Sequence, residues 1–302
     1  MNTQTTFDLP TVDAPSISSS AMLVELNISC WTGRKQDKNL SDKSESAASA
    51  ARGTFSTYKK LLGDCAELKA ISDSAAAIRS FHLRNTMPWS DKGPRLLTTQ
   101  RFFSYEQEMS VLADKHQVLV DTFVDEVYAG ARVDAFRALG DAYDPNEYPS
   151  TPEIAAKFGF HLTYSPVPDT GDFRVNVGNE ALAKLASQYS SFYAKRIDEA
   201  QRDVTTRLTV EMERFVAQLH VDDNTGKKGK LFQATIDHVL SLSTMLEEAN
   251  FSQDPAITSV VGKIQALVGN TEAADLKKNE AARAELHKQM QVAVAAIPSM
   301  GF

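Results

Sequence analysis

Apolar residues along this chain recur mostly at intervals of three and four, the spacing of an amphipathic helix, and in two places they alternate, the spacing of a strand. Residues 22–31 alternate: Met22, Val24, Leu26, Ile28 and Cys30 share one face and Glu25, Asn27 and Ser29 the other, which predicts a half-buried strand ended by Thr32-Gly33. Phe160, Leu162 and Tyr164 alternate again, as do Phe173, Val175 and Val177 beyond the turn SPVPDTG, and together they predict a hairpin over 159–177. Between these strands the helical spacing covers 41–62 through Ala51, Phe55, Tyr58 and Leu62, then 64–82 through Leu68, Ile71, Ala75, Ile78 and His82. The segment TMPWSDKGPRLL, bracketed by Pro88 and Pro94, reads as a loop. The cleanest seam is Phe102, Tyr105, Met109, Leu112, His116, Leu119, Phe123 and Val127, which predicts a helix over 98–128.

The longest periodic segment is 179–219, where Leu182, Leu185, Tyr189, Tyr193, Ile197, Ala200, Val204, Leu208, Met212, Phe215 and Leu219 average about 3.7 residues per step, close to an eleven-residue repeat. A helix of that length spans roughly 60 Å, more than a small domain needs. Beyond a loop at 221–230, further helices are expected over 232–246, from Asp254-Pro255 to Gly269, and over 271–296. The fold class that follows is α+β, predominantly α: long antiparallel helices with coiled-coil-like seams, and a small antiparallel sheet joining strand 22–31 to the hairpin 159–177. Three segments are expected: a flexible tail at 1–20, a mixed body at 21–178, and a long helical hairpin or bundle at 179–302 continuous with that body.

Composition narrows the function more than the fold. The 302 residues carry 32 Lys and Arg against 39 Asp and Glu, a net charge of −7, which counts against binding of nucleic acid or anionic membranes by the whole surface. No run of apolar residues is long enough to span a bilayer, and the first twenty residues lack the basic and apolar regions of a signal peptide. With only Cys30 and Cys65, no disulfide framework is expected, so the setting is read as cytoplasmic. The charge is unevenly placed. Residues 31–60 hold seven basic and three acidic side chains, whereas 98–128 hold two basic and six acidic.

No catalytic or metal-binding motif emerges. Gly226-Lys227-Lys228-Gly229-Lys230 lacks the upstream glycine and the following Ser or Thr of a phosphate-binding loop. Asp222-Asp223-Asn224 fails the spacing of a calcium loop. His82 and His116 fall on apolar seams, and none of the six histidines makes a ligand-spaced pair. Asp121, Asp125 and Glu126 read as a solvated acidic face, so no catalytic residue, cofactor or metal is expected. The candidate interaction surface is drawn from two Trp-containing polar segments, Trp31, Arg34 and Lys35 and then Trp89, Lys92 and Arg95, together with the basic loop Lys227, Lys228 and Lys230.

The stretch Asn27-Ile28-Ser29-Cys30-Trp31-Thr32-Gly33-Arg34-Lys35 resembles the opening of a family of uncharacterised bacteriophage and mobile-element proteins. In that family an amphipathic strand leads into a Trp-Thr/Ser-Gly-Arg-Lys signature and a long helical body. Tyr148-Pro149-Ser150, Lys157-Phe158, Pro166-Val167-Pro168 and Gly171-Asp172-Phe173-Arg174-Val175 are similar to phage proteins of the same type. The resemblance implies a phage or mobile-element protein, in the host cytoplasm, whose relatives are often encoded beside a MoxR-type AAA+ ATPase and a von Willebrand-type protein. It carries over no catalytic residue. The expectation is a non-enzymatic interaction or assembly protein, with a protein partner or self-assembly, and the resemblance implies a role as an adaptor for an AAA+ ATPase. The alternative is a nucleic-acid-handling accessory protein using Arg34, Lys35, Lys59, Lys60 and the 227–230 lysines.

Overall fold

Strand β1 (Ala21–Ser29) forms where the alternation places it, and β2 (Arg34–Gln36) follows after the Trp31–Gly33 turn. The computed structural model describes residues 17–90, 92–168, 179–221 and 225–297. Then come α1 (Lys38–Ala47), β3 (Tyr58–Lys60), α2 (Ala66–Asn85), β4 (Met87–Pro88), β5 (Arg95–Thr98) and α3 (Phe102–Thr122). A π-helical turn, Phe123–Val127, leads from α3 into α4 (Tyr128–Leu139), α5 (Thr151–Ala155) and β6 (Gly159–Pro166). The remainder is helical: α6 (Asn179–Leu219), α7 (Gln233–Glu248), α8 (Pro255–Val268), α9 (Ala273–Lys278) and α10 (Glu280–Ala295). The chain is therefore α+β and predominantly α, with one sheet ordered β4-β5-β1-β6 and a separate two-stranded sheet of β2 and β3. No helix of the described residues is long and apolar enough to cross a membrane.

Several expectations need correction. Helix 41–62 does not exist beyond Ala47, because the buried Glu45 carboxylate accepts the backbone N–H groups of Gly53 (2.7 Å) and Phe55 (3.1 Å) and holds a loop. Tyr58 then enters β3 and pairs with Gln36, while Lys59 pairs with Lys35 and Lys60 with Arg34. The expected loop around Pro88 and Pro94 supplies β4 and β5; Met22 pairs with Leu97 and Leu23 with Leu96. Its prolines fit because β4 is an edge strand of only two residues and Pro94 precedes β5. The helix expected over 271–296 is divided at Asn279, whose extended backbone ends α9 and whose side chain caps α10 by accepting from the Ala282 N–H at 3.0 Å. The second arm of the 159–177 hairpin, Phe173 to Val177, lies outside the described residues. So does most of the expected tail; Ile17, within its last residues, is buried.

The chain contacts divide into two units that do not follow sequence order. The first contains residues 1–24, 85–102 and 164–302, and the second 25–84 and 103–163.

In the first unit α6 is the spine. Tyr193, Ala200, Val204, Leu208, Met212, Phe215 and Leu219 are buried as the seam predicted, while Ile197, also on the expected seam, is only half-buried. Helix α7 returns antiparallel along it: Gln218 donates to Thr235 at 3.1 Å near one end, and Gln201 donates to the Ala249 carbonyl at 2.7 Å near the other. Helix α10 also packs on α6, and α8 on both α7 and α10. At the C-terminus of α6, Arg283 of α10 is 2% exposed and donates to the carbonyls of Gln218 (2.6 Å), Leu219 (2.8 Å), His220 (3.4 Å) and Gly229 (2.9 Å). These carbonyls include α6 end groups that have no partner within the helix, and a cation there opposes the negative end of the helix dipole. Burial pulls the Arg283 pKa below its ordinary value while Glu280 pushes it back up. Gly229 makes this closure possible, since a Cβ there would lie 2.5 Å from the Gln218 oxygen.

The second unit packs α2, the π-helical turn, α4 and α5 around Ile71, Phe123, Tyr128 and Ile154. The extra residue of the π-helical turn moves the seam on by one position. Tyr128 is fully buried and Val127, expected on the seam, is only half-buried.

Replacing Arg283 by Met is expected to lower unfolding stability by about 3 kcal/mol, because buried carbonyls lose their donor. Lys at this position, without a planar fork, is expected to recover less than half of that. Urea unfolding of the three proteins checks both values.

Candidate functional site

The Trp31-Thr32-Gly33-Arg34 segment forms one wall of a cleft of about 660 Å³ in the second unit, with Tyr58 and Lys60 of β3 and Leu68 and Lys69 of α2 among the facing residues. Two local constraints build that wall. Gly33 has φ +62°, and a Cβ there would lie 2.8 Å from Leu68 Cδ2, so the chain turns over α2 only because this residue is glycine. The Gly33 carbonyl then accepts from the Leu61 N–H at 2.7 Å, which extends the β2–β3 pairing toward the floor. Behind the wall, Trp31 meets Tyr128 edge-on at 5.9 Å, and Tyr128 donates its hydroxyl proton to the Pro149 carbonyl at 2.7 Å. Phe123 lies 5.8 Å from both Tyr128 and Phe158, so the π-helical turn supplies the aromatic support of Trp31.

The cleft is bordered by cations whose intramolecular partners are easily surrendered. Arg34 is exposed and makes no ion pair among the described residues; Lys35, next to it in β2, is exposed too but does not line the cleft. Lys60 pairs with Asp64 at 2.6 Å and Lys69 with Asp73 at 2.5 Å, both pairs largely in solvent. Lys60 holds the Asp64 carboxyl below its usual pKa by direct hydrogen bonding. Exposed pairs of this kind are screened by solvent and contribute little, so either lysine can turn to another carboxylate at small cost. Cys30 and Cys65 also line the cleft, and burial raises the pKa of both thiols, which keeps them protonated rather than nucleophilic. The arrangement is suited to holding an acidic group beside an indole ring.

The nine candidate interaction residues do not form one surface. Trp31 and Arg34 line this cleft in the second unit, and Lys35, in the same unit, does not. Trp89, Lys92, Arg95, Lys227, Lys228 and Lys230 belong to the first unit. Trp89 lies in the core, 6% exposed and 5.3 Å from the Tyr193 ring, not on a recognition surface. Arg95 is turned inward as well, donating to the Thr86 hydroxyl (2.7 Å) and carbonyl (3.0 Å). Lys92 is exposed. Lys228 pairs with Glu280, whereas Lys227 and Lys230 are exposed with no ion pair among the described residues. Lys59, considered for nucleic-acid contact, is committed internally: it pairs with Glu147 at 2.6 Å and donates to the Ala142 carbonyl at 2.8 Å.

Sequence reasoning missed the β3 half of the cleft because it placed Tyr58 on a helical seam. The signal was present in Thr54-Phe55-Ser56-Thr57-Tyr58, a run of residues that favour strands or loops over helices. The acidic positions on α3 and the π-helical turn, Glu106 to Glu126, are exposed as expected. Among the described residues no group of three or more His, Cys, Asp or Glu side chains is placed to hold a metal ion. The calcium-like Asp222–Asn224 lies outside the described residues. Compared with known proteins, the chain matches no family model, no curated protein and no solved structure.

The two seam histidines are interior groups. His82 shares a 2.7 Å hydrogen bond with Tyr105, and His116, 2% exposed, shares one of 3.2 Å with Ser74. Burial first, and then the Arg79 charge, lowers the His116 pKa, so the folded state holds this ring neutral. His287 is lowered too, by burial and by His220 and Arg283. A histidine whose folded pKa is depressed contributes stability above its unfolded value and loses it as pH falls below that value. Unfolding free energy is therefore expected to decline as pH drops below about 6.5. Replacing His116 by Gln is expected to flatten part of that slope in urea titrations run at a series of pH values.

Proposed function

We propose that this is a non-enzymatic interaction and assembly protein that receives an acidic segment of a protein partner in the Trp31 cleft. The observation that carries the reading is the cleft itself: a concavity of about 660 Å³ with an aromatic wall and a border on which three cations, Arg34, Lys60 and Lys69, outnumber the one carboxylate, Asp64, their charges unpaired or paired only in solvent. The indole and Gly33 provide a fixed apolar surface, while Arg34, Lys60 and Lys69 supply charge-assisted hydrogen bonds to carboxylates. By the resemblance of its Trp-Thr-Gly-Arg-Lys segment, we place it with phage or mobile-element proteins acting in a host cytoplasm. A MoxR-type AAA+ ATPase is the partner we propose first, with this chain as its adaptor.

The test is binding to a purified MoxR-type ATPase from the same genome, followed by fluorescence anisotropy of an acidic peptide from the bound protein. Wild type is expected to bind both, and the double variant R34E/K35E to bind at least about ten-fold more weakly because attraction becomes repulsion. W31A is expected to weaken peptide binding without altering its salt dependence. Equal binding by wild type and R34E/K35E would overturn the reading.

A further inference from the structure

A second concavity, of about 350 Å³, lies in the first unit where α6 ends, and its charged lining is entirely cationic: Lys228, Lys230, Lys277 and Arg283. Phe232, the residue preceding α7, stands on its border with 55% of its surface exposed. The end of a 41-residue helix is ordinarily a poor place for an anion, because its free carbonyls carry the negative end of the dipole. Here Arg283 reverses that. Its Nε and one Nη donate to the carbonyls of Gln218, Leu219, His220 and Gly229, which hold the guanidinium in place and leave a positive charge where the helix end was negative. Lys228 is held by Glu280, itself not part of the lining. Lys230 and Lys277 are exposed and make no ion pair among the described residues. Like charges gathered in a concavity repel one another and focus a positive potential, which an anion relieves.

We propose that this basin binds a nucleoside phosphate, with the phosphate among Lys228, Lys230 and Lys277 and the base stacked on Phe232. The volume falls within the range of small-molecule sites, and an exposed aromatic ring beside cations is the arrangement that holds unpaired bases. The same chemistry is offered by a free nucleotide and by single-stranded nucleic acid. An acidic peptide has no planar base to occupy the ring face, which is why the phosphate ligand is favoured. This site is independent of the Trp31 cleft.

The experiment uses the full chain with a labelled oligothymidylate of about twelve bases, read by anisotropy, and with adenosine monophosphate, read by equilibrium dialysis. Oligonucleotide affinity is expected to fall roughly ten-fold between about 50 and about 200 mM salt, as for two to three neutralised phosphates. K230E/K277E is expected to lower affinity at least about ten-fold, and F232A about five-fold or more. If K230E/K277E does not fold, judged by circular dichroism, K230Q/K277Q replaces it with the same expected direction. Adenosine monophosphate binding as tightly as the oligonucleotide assigns a free nucleotide; oligonucleotide binding alone assigns a strand. The proposal is overturned if neither ligand binds at the lower salt, if the lysine variants bind like wild type, or if F232A is silent while a polyglutamate peptide competes.

Discussion

The Arg283 guanidinium is the contact through which the C-terminal part of the chain closes on itself. It links α10 to the end of α6 and to the loop that carries the chain from α6 into α7, so three segments meet at one side chain. A buried charge is costly unless it finds acceptors, and here backbone carbonyls at and just beyond the end of α6 accept from Nε and one Nη. The geometry is strict on both sides. The cation must be a planar fork, and the loop must approach the helix end closely enough that only glycine fits at 229. The α6 and α10 seams, and the α7 return, then bury their apolar faces around a helix end that is already neutralised.

The second unit is organised by a different constraint, the support of one indole. Trp31 rests on Tyr128, and Tyr128 reaches it because the π-helical turn advances the seam by one residue. That irregularity, the left-handed Gly33 and the short β2–β3 pairing together build a concave wall from a segment that lies on the boundary between strand and helix. Elsewhere in the unit lysines are spent on structure, as Lys59 is on Glu147 and Ala142. The charges left at the cleft border are those with no internal task.

How much of this was legible from residues alone depended on whether information was local. Helix α6 was read with both of its ends, because a periodic seam repeated over many turns averages out individual exceptions. Strand β1 was legible for the same reason over its shorter span. The 41–62 segment was misread because Ala51, Phe55, Tyr58 and Leu62 satisfy helical spacing, while the carboxylate of Glu45 that organises the loop acts eight and ten residues away. Strands β4 and β5 were hidden by two prolines and by their brevity. Of the cleft, Trp31 and Arg34 were legible within one aromatic-basic cluster, but their partners across β3 were not. Trp89 and Arg95 have the same local composition as the cleft segment, and only tertiary packing separates a core residue from a surface one. Arg283 gave no local sign at all, being one charged residue in a charged helix.

The chain's route through its two units has a consequence for synthesis. Residues 17–24 belong with a unit completed only by residues 164–297, so the first strand leaves the ribosome long before the helices that bury it. The second unit, by contrast, has all its residues once position 163 has emerged, and residues 85–102 pass out of it and back. Contacts that span nearly the whole length carry a high loop-closure cost and form slowly. The nascent chain thus holds Leu23 exposed, as an apolar edge awaiting its cover, until the helices that bury it have emerged.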